Sequence, residues 1–404
     1  MPLYFLLVYD SPYFWVGWIL ALLPWPLKVW RKGYLLPRTI FDIPILVFVI
    51  GLVVGLIYSD LALLSVGAFQ SYLCVILFYY ALADGHWTRD WKIWGGFWTL
   101  FFLLISIFIF SQVTLNVTRP TPFSERFFAM IPSIPNIFDV APNINTVAAV
   151  LAVVIPVLFG ISILGLKAHP RIRISAIILT IVFAFALALT ISRGAWIAVG
   201  IALTIILIRH TKWALLLLLI AAGAMIWVWL ADYDPLNILQ IGRVGNIYRL
   251  EIWQLTVEIL RGYPLIGCGL GAFPSVFVPY APPQFSEHPN PHNAYLMLYS
   301  DMGIFGVLAA ALATVILIIT IVKMWRAPHK EPAYGMAFGI AAGVIALGIH
   351  AIFEASSAII WIDSGGNYRY LASILPWIAA GSLAAVIKKR KTIAQALSLA
   401  KHNM

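Results

Sequence analysis

The chain has 404 residues, of which 62% are hydrophobic and only 10% are charged, and its mean hydropathy is +0.94. A soluble globular protein is about a quarter charged, and a chain this apolar could not hide its surface from water inside one core. The composition therefore excludes a soluble cytosolic enzyme, a secreted disulfide scaffold and a disordered chain. It predicts an all-α polytopic membrane protein.

Eleven apolar segments have about the 20 residues that a transmembrane helix needs. The stretch 174–208 counts as two of them, because a single helix of that length would overshoot the bilayer. Ser192, Arg193 and Gly194 are predicted to form the tight hairpin between these two helices. The eleven candidate spans lie near residues 12–27, 39–58, 61–83, 93–113, 144–166, 174–192, 194–208, 213–230, 293–322, 333–355 and 368–387.

The basic residues predict an orientation for these spans. One set of alternate connections, with the C-terminal tail, holds 19 of the 26 lysines and arginines, including every lysine. By the positive-inside rule this set is cytoplasmic, which places the C-terminus inside and the N-terminus outside. The other seven cations, predicted to be external, are all arginine: Arg119, Arg126, Arg193, Arg243, Arg249, Arg261 and Arg369. Since arginine grips phosphate or carboxylate with two parallel hydrogen bonds, they indicate anion binding or pairing with external acidic residues.

The polar segments divide the chain into four parts. These are spans one to eight in 1–230, a large external loop in 231–292, spans nine to eleven in 293–387 and a basic cytoplasmic tail in 388–404. Within the loop, residues 246–261 are predicted to form an amphipathic helix with Arg249 and Trp253 on one face. The glycine-rich segment 267–273 is interpreted as a close backbone turn, since it lacks the lysine of a phosphate-binding P-loop.

Several polar residues lie close to predicted membrane depth, where charge is costly. Arg193 is either a hairpin anchor or an anion ligand, and the residue type favours the ligand. His292 and Asn293 open the ninth span after a proline-rich loop. His350 and Glu354 are spaced to share one helix face, with Arg369 across a short loop, and both a proton relay and a packed ion pair remain open. Asn143 and Asn145, before the fifth span, are interpreted as capping residues.

These motifs together resemble the O-antigen ligase and polymerase superfamily of membrane glycosyltransferases. The resemblance extends over roughly residues 140–387, whereas the N-terminal third matches only in being hydrophobic. It implies a GT-C-like architecture of eleven to twelve transmembrane helices. Its motifs are Ser-Arg-Gly-Ala-Trp at 192–196, Tyr-Arg-Leu-Glu-Ile-Trp at 248–253, Gly-Cys-Gly-Leu-Gly-Ala-Phe at 267–273 and His-Asn-Ala-Tyr-Leu at 292–296.

The resemblance also implies a reaction and a set of site residues. The reaction is a metal-free, cofactor-free and inverting transfer of a glycan from undecaprenyl diphosphate to an acceptor hydroxyl on the external face of the inner (plasma) membrane. Arg193 and Arg249 would offset the charge on the diphosphate, and His292 would orient the acceptor hydroxyl or accept its proton. Glu354 is the candidate for the family's last acidic residue, which would either hold His292 in the right tautomer or bind sugar. Arg369, Asn293 and Trp253 complete the predicted substrate-binding set, and His288 is a weaker substitute for His292.

Three functions remain open after this reading. A ligase would use lipid A–core oligosaccharide as acceptor, whereas a polymerase would extend the growing lipid-linked glycan. The third function is solute transport, because a bicarbonate-transporter-like branch shares the Ser-Arg-Gly signature. Transporters place ionisable sites near the midplane, often on broken helices from internal repeats. Since this chain has no evident repeat and its polar cluster is predicted to be external, an enzyme acting on membrane lipids is favoured, with no nucleic-acid partner.

Overall fold

The computed structural model describes residues 22, 24–85, 144–164, 170–190, 192–208, 211, 213–216, 219, 238–282, 289–326, 332–355, 359–364, 367–373 and 375–402. This part of the chain is almost entirely helical, which confirms the prediction of an all-α membrane protein. Its helices are α1 (Pro24–Lys32), α2 (Asp42–Ile57), α3 (Ala62–Ala83), α4 (Ile144–Leu164), α5 (Pro170–Leu189), α6 (Arg193–Leu207), α7 (Ile238–Leu260), α8 (Phe273–Phe277), a 3-10 turn (Val278–Tyr280), α9 (Ala294–Met302), α10 (Ile304–Trp325), α11 (Pro332–His350) and α12 (Leu375–His402). Two strands, β1 (Ile359–Ser364) and β2 (Asn367–Ala372), precede α12.

Four described helices are long and apolar enough to cross a membrane. They are Leu64–Ala83 in α3, Asn145–Ile163 in α4, Pro170–Ala188 in α5 and Ile304–Trp325, which is α10. Shorter apolar helices occupy four further predicted spans, namely Asp42–Ile57, Arg193–Leu207, Tyr334–His350 and Leu375–Lys388. The predicted span 93–113, and most of 12–27 and 213–230, lie outside the described residues. The chain is thus a membrane protein, while the total number of spans and their sidedness stay predictions.

The predicted break inside the apolar stretch 174–208 is confirmed, but Arg193 and Gly194 are the first residues of the second helix and only Ser192 belongs to the turn. Helix α5 ends at Leu189 and α6 begins at Arg193. The Thr190 hydroxyl donates to the Leu187 carbonyl and in turn accepts from the Ser192 backbone N–H at 3.3 Å. These side-chain bonds satisfy backbone groups that a helix end leaves open.

The predicted span 293–322 is wrong as a single helix. It breaks at Gly303, whose φ of 59° lies in the left-handed region that ends helices. Short helix α9 precedes the break, and α10 follows it, with the Ile304 N–H donating to the Leu265 carbonyl at 2.9 Å. Gly303 has no side chain to clash in this conformation. The residues on both sides of it are apolar, so a hydropathy plot does not reveal the break.

The predicted spans 333–355 and 368–387 also need correction. Helix α11 ends at His350, so Glu354 follows a turn and does not share a helix face with His350. Residues 367–372 are strand β2, antiparallel to β1, with Ile359 opposite Ala372 and Ser364 opposite Asn367. Both strands are rich in β-branched and aromatic residues, and two glycines separate them, a sequence typical of a β-hairpin.

Two predicted helix boundaries differ from those in the structure. The predicted amphipathic helix 246–261 is the C-terminal part of the longer α7. Helix α12 continues from Leu375 to His402, through most of the predicted basic tail 388–404. Helix ends are the least certain part of a sequence-based assignment because capping and fraying are decided locally.

The chain divides into two compact units. The first unit is Met1–Arg89, Leu255–Ile318 and Ala355–Met404, and the second is Asp90–Gln254 and Ile319–Glu354. In the first unit, α12 packs on α3 and α9 packs on α2. Trp377 of α12 makes edge contacts with Phe48 and Tyr79, at ring-centroid distances of 5.5 and 6.3 Å.

The second unit is organised around the packing of α4 against α11, with α6 contacting both. Glycines bring α4 and α11 close together. A Cβ atom on Gly160 would lie 2.5 Å from the Gly335 carbonyl oxygen, and one on Gly339 would lie 2.6 Å from that of Pro156. Small residues are the usual means of close helix contact in membranes. The helices therefore hold their ends, and the polar residues there, in fixed positions.

Candidate active site

The second unit joins Glu354 to the α5–α6 hairpin through Asn145. The Asn145 amide donates to the Glu354 carboxylate at 2.9 Å, and the Asn145 carbonyl oxygen accepts from the Ser192 hydroxyl at 3.2 Å. Glu354 is 2% exposed. Because each end of the amide has a different partner, its orientation is determined by the network. Three separate stretches of the chain thus fix one buried carboxylate.

Sequence reasoning did not find this role of Asn145. Its position at the start of a span led to its interpretation as a capping residue. In the structure its side chain reaches a carboxylate 209 residues later in the chain. A half-buried amide is expected to find a polar partner, but the sequence alone could not identify that partner.

The two predicted diphosphate ligands lie near each other in the second unit. Arg193 is the first residue of α6, Arg249 is on α7, and each is half-buried and within electrostatic range of the other. Two guanidinium groups repel, so bringing them together is favourable only where negative charge offsets the repulsion. The N-terminus of α6 adds partial positive charge at Arg193. This arrangement suits an anion.

His350 lies in the same unit, within range of both a negative and a positive side chain. It is buried at the end of α11, and Glu354 and Arg249 act on it electrostatically. The sequence left a proton relay and a packed ion pair open for His350 and Glu354. The structure brings these residues together across a turn, and the Asn145 bond gives Glu354 a neutral hydrogen-bond partner.

His292 belongs to the first unit and has an unusual backbone. It is the one non-glycine residue with positive φ in the part of the chain that the structure describes, at 48°. Its N–H donates to the Asn290 side chain at 2.8 Å, and Asn293 caps α9 by accepting from the N–H groups of Tyr295 and Leu296. A left-handed conformation is uncommon for a residue with a side chain, and such strain is typical of functional positions.

The glycine-rich segment 267–273 fastens α9 within the first unit. The Cys268 N–H donates to the Ser300 carbonyl at 2.8 Å, and the Gly271 N–H donates to the Asp301 carboxylate at 3.2 Å. Gly267 and Gly269 have positive φ, as the predicted close turn requires. The loop therefore supports the helix that directly follows His292 and Asn293. Asp301, fully buried in this contact, was not singled out from the sequence.

The remaining predicted site residues are Trp253, Arg369 and His288. Trp253 is half-buried on α7, four residues after Arg249. Arg369 lies on β2 opposite Ile362, but its side chain lies outside the part of the chain that the structure describes. His288 lies outside that part as well. Among the described residues no group of three histidine, cysteine or acidic side chains could hold a metal ion. Independence from metal stays a prediction.

Residues 176–311 match the model of a protein family described as O-antigen ligase. The matched segment is about a third of the chain, and over it the protein is similar to that family. The matched segment runs from α5 into α10, so it contains Arg193, Arg249 and His292, whereas Glu354 follows it. A comparison with curated proteins gave no match.

Proposed function

We propose that this protein transfers a glycan from undecaprenyl diphosphate to a hydroxyl of lipid A–core oligosaccharide at the external face of the inner membrane. The observation that carries the proposal is the match of residues 176–311 to the O-antigen ligase family, a segment that holds both arginines and the histidine. The structure supports it, because Arg193 and Arg249 lie within electrostatic range of each other.

The leaving group explains why two arginines are useful. Transfer breaks the bond between the anomeric carbon and a phosphate oxygen, and the electron pair stays on the diphosphate. Negative charge therefore develops on the leaving group in the transition state. Fixed cations aimed at developing charge contribute most when they are already in place before the reaction. Arg193 and Arg249 perform this task with bidentate hydrogen bonds to phosphate oxygens.

His292 acts on the acceptor hydroxyl. The acceptor oxygen forms a bond to the anomeric carbon from the face opposite the diphosphate, which inverts the configuration. The hydroxyl proton passes to the imidazole, the side chain most often used as a general base. The strained backbone of His292 and the Asn293 cap determine the direction in which the imidazole ring projects, just before α9 begins.

Glu354 has a supporting role in this proposal. A carboxylate that is buried and held by the Asn145 amide is a rigid hydrogen-bond acceptor. Sugar hydroxyls are donors that such an acceptor orients, and orientation of the donor sugar lowers the barrier to transfer. Glu354 is therefore assigned to binding the glycan.

The decisive experiment is a reaction of the purified protein with undecaprenyl diphosphate-linked glycan and lipid A–core acceptor. The expected result is release of undecaprenyl diphosphate together with a core-linked glycan, at an unchanged rate in EDTA. Elongation of the lipid-linked glycan without transfer to the core would identify a polymerase instead. Absence of release with either acceptor, alongside solute uptake into liposomes, would overturn the enzyme proposal. Inhibition by EDTA that a divalent metal reverses would contradict the metal-free mechanism.

A further inference from the structure

Three lysines surround a single carboxylate in the first unit. The Asp84 carboxylate, directly after α3, receives the Lys32 ammonium at 2.7 Å, that of Lys28 at 3.2 Å and that of Lys388 at 3.4 Å. The Tyr34 hydroxyl also donates to Asp84 at 2.8 Å. We name these three lysines, with Asp84, the lysine cluster. They come from α1 and α12, so the cluster joins distant parts of the chain.

The lysine cluster has more positive charge than it needs to balance Asp84. Three ammonium groups and one carboxylate leave two positive charges in excess. Burial lowers the pKa of Lys28, and the charges of Lys32 and Lys388 lower it further, against the opposing effect of Asp84. An additional anion would relieve the repulsion among the three ammonium groups.

Helix α1 indicates which kind of anion would be near. Its Trp25 ring is buried beneath the Lys28 ammonium, 4.6 Å from the ring centroid. Its Trp30 side chain is 81% exposed, and the neighbouring Val29 is also exposed. Lysines next to exposed tryptophan and aliphatic side chains are typical of a helix that lies in the membrane interface. A soluble anion would leave these apolar side chains in water.

We propose that Lys28, Lys32 and Lys388 bind the phosphate-bearing head group of an anionic phospholipid, whose acyl chains cover the exposed apolar side chains of α1. The orientation predicted from the basic residues places these lysines on the cytoplasmic side. Anionic lipids there attract basic clusters next to membrane helices. The site is separate from the proposed transfer reaction and uses none of its residues.

The test measures lipid binding directly. Full-length protein in neutral detergent is titrated with phosphatidylglycerol or with phosphatidylcholine of the same acyl chains, and bound lipid is counted by native mass spectrometry. Phosphatidylglycerol should bind more tightly. The Lys388→Gln variant should weaken its binding about fivefold, the effect of one lysine at an anionic surface, and leave phosphatidylcholine unchanged. Lys388 is exposed enough, at 43% of its side chain, for folding to tolerate the change.

A matched variant and a variant of opposite effect sharpen the test. Lys323→Gln, an exposed lysine in the last turn of α10, should not change binding of either lipid. Asp84→Asn removes the competing carboxylate and should strengthen phosphatidylglycerol binding. Equal binding of both lipids by the wild type, or equal losses in the Lys388 and Lys323 variants, would overturn the proposal. Inorganic phosphate that competes as well as phosphatidylglycerol at equal concentration would overturn the lipid assignment.

Discussion

Asp84 in the first unit and Glu354 in the second are both well-buried carboxylates just beyond the end of a helix, and their surroundings differ. The side chain of Asp84 is 8% exposed, and three lysines and a tyrosine hydroxyl surround it. Glu354 is held by the neutral Asn145 amide, in a unit whose nearby cations are arginines. The same chemical group is therefore surrounded by ammonium groups in one place and held by an amide in the other.

The pKa of Asp84 shows what its surroundings do. Burial alone would raise this pKa, but hydrogen bonds from Lys32, Tyr34 and Lys28 outweigh burial and hold it well below its usual range. The charged carboxylate thus stabilises the folded chain. Glu354 accepts a hydrogen bond from an uncharged amide instead, so the two carboxylates differ in the groups that bind them.

The largest effect on activity is expected from the arginine pair. Arg249→Ala should lower the transfer rate about a thousandfold, the scale for removal of one group that stabilises transition-state charge. Arg249→Lys keeps the charge but loses the fork, so about a hundredfold loss should remain. The measurement is undecaprenyl diphosphate release by protein of confirmed fold.

Arg261 is the matched control for this substitution. It is exposed just after the end of the same helix, and Arg261→Lys should leave the rate unchanged. Full activity of Arg249→Lys would show that phosphate geometry does not explain the arginine at this position.

The next effect concerns His292, where the backbone and the imidazole can be tested separately. His292→Asn should lower the transfer rate about a hundredfold, the loss typical of a general base. Asparagine tolerates the left-handed backbone, so the unfolding temperature should change little. His292→Gly keeps that backbone without any side chain and should be equally inactive. Recovery of activity in the glycine variant would mean that His292 serves only to shape the turn.

The sequence predicts the motif positions well because each depends on local signals. Polar Thr190, Ser192 and Arg193 interrupt a long apolar stretch, and the hairpin forms there. The proline-rich approach to His292 and the helix that follows it are also local features. The arginines could be singled out by residue type, since lysine would satisfy the topology rule equally well.

The misassigned elements depend on features that hydropathy does not record. Residues 367–372 directly precede the apolar run of α12, and a hydropathy window does not separate a short strand from the apolar segment that follows it. The bend at Gly303 is decided by one backbone angle. The partners of Asn145 and of Asp84 lie up to 304 residues away in the chain, and only the packing of the helices brings them together.

A smaller effect is expected from the residue that holds Glu354. Asn145→Ala should lower the transfer rate about tenfold, which corresponds to the loss of one hydrogen bond to a charged group. Asn145→Asp has nearly the same shape but places a second carboxylate against Glu354, so it should be less active than the alanine variant. Ser162→Ala, on the same helix, removes only a bond to the Phe159 carbonyl and should be neutral. An aspartate variant as active as the wild type would exclude donation by the amide.

The smallest effect on activity, and a clear effect on stability, is expected for Asp84→Asn. Three ammonium groups would face each other without their carboxylate, and the free energy of unfolding should fall by about 1–3 kcal/mol. The rate of transfer per folded molecule should not change. Asp60→Asn, an exposed aspartate in the loop between α2 and α3, is the matched control and should leave stability unchanged.

The pH dependence distinguishes the charge of Asp84 from its shape. Because the folded-state pKa is lowered, the stabilisation by Asp84 is complete above the unfolded value, which is about 3.9. It is lost as the pH falls below that value towards the folded one. The difference in unfolding temperature between the wild type and Asp84→Asn should therefore become smaller as the pH is lowered from 7 to 3. A difference that stays constant to pH 3 would mean that the lysines recognise the shape of the side chain and not its charge, and the contrast with Glu354 would then disappear.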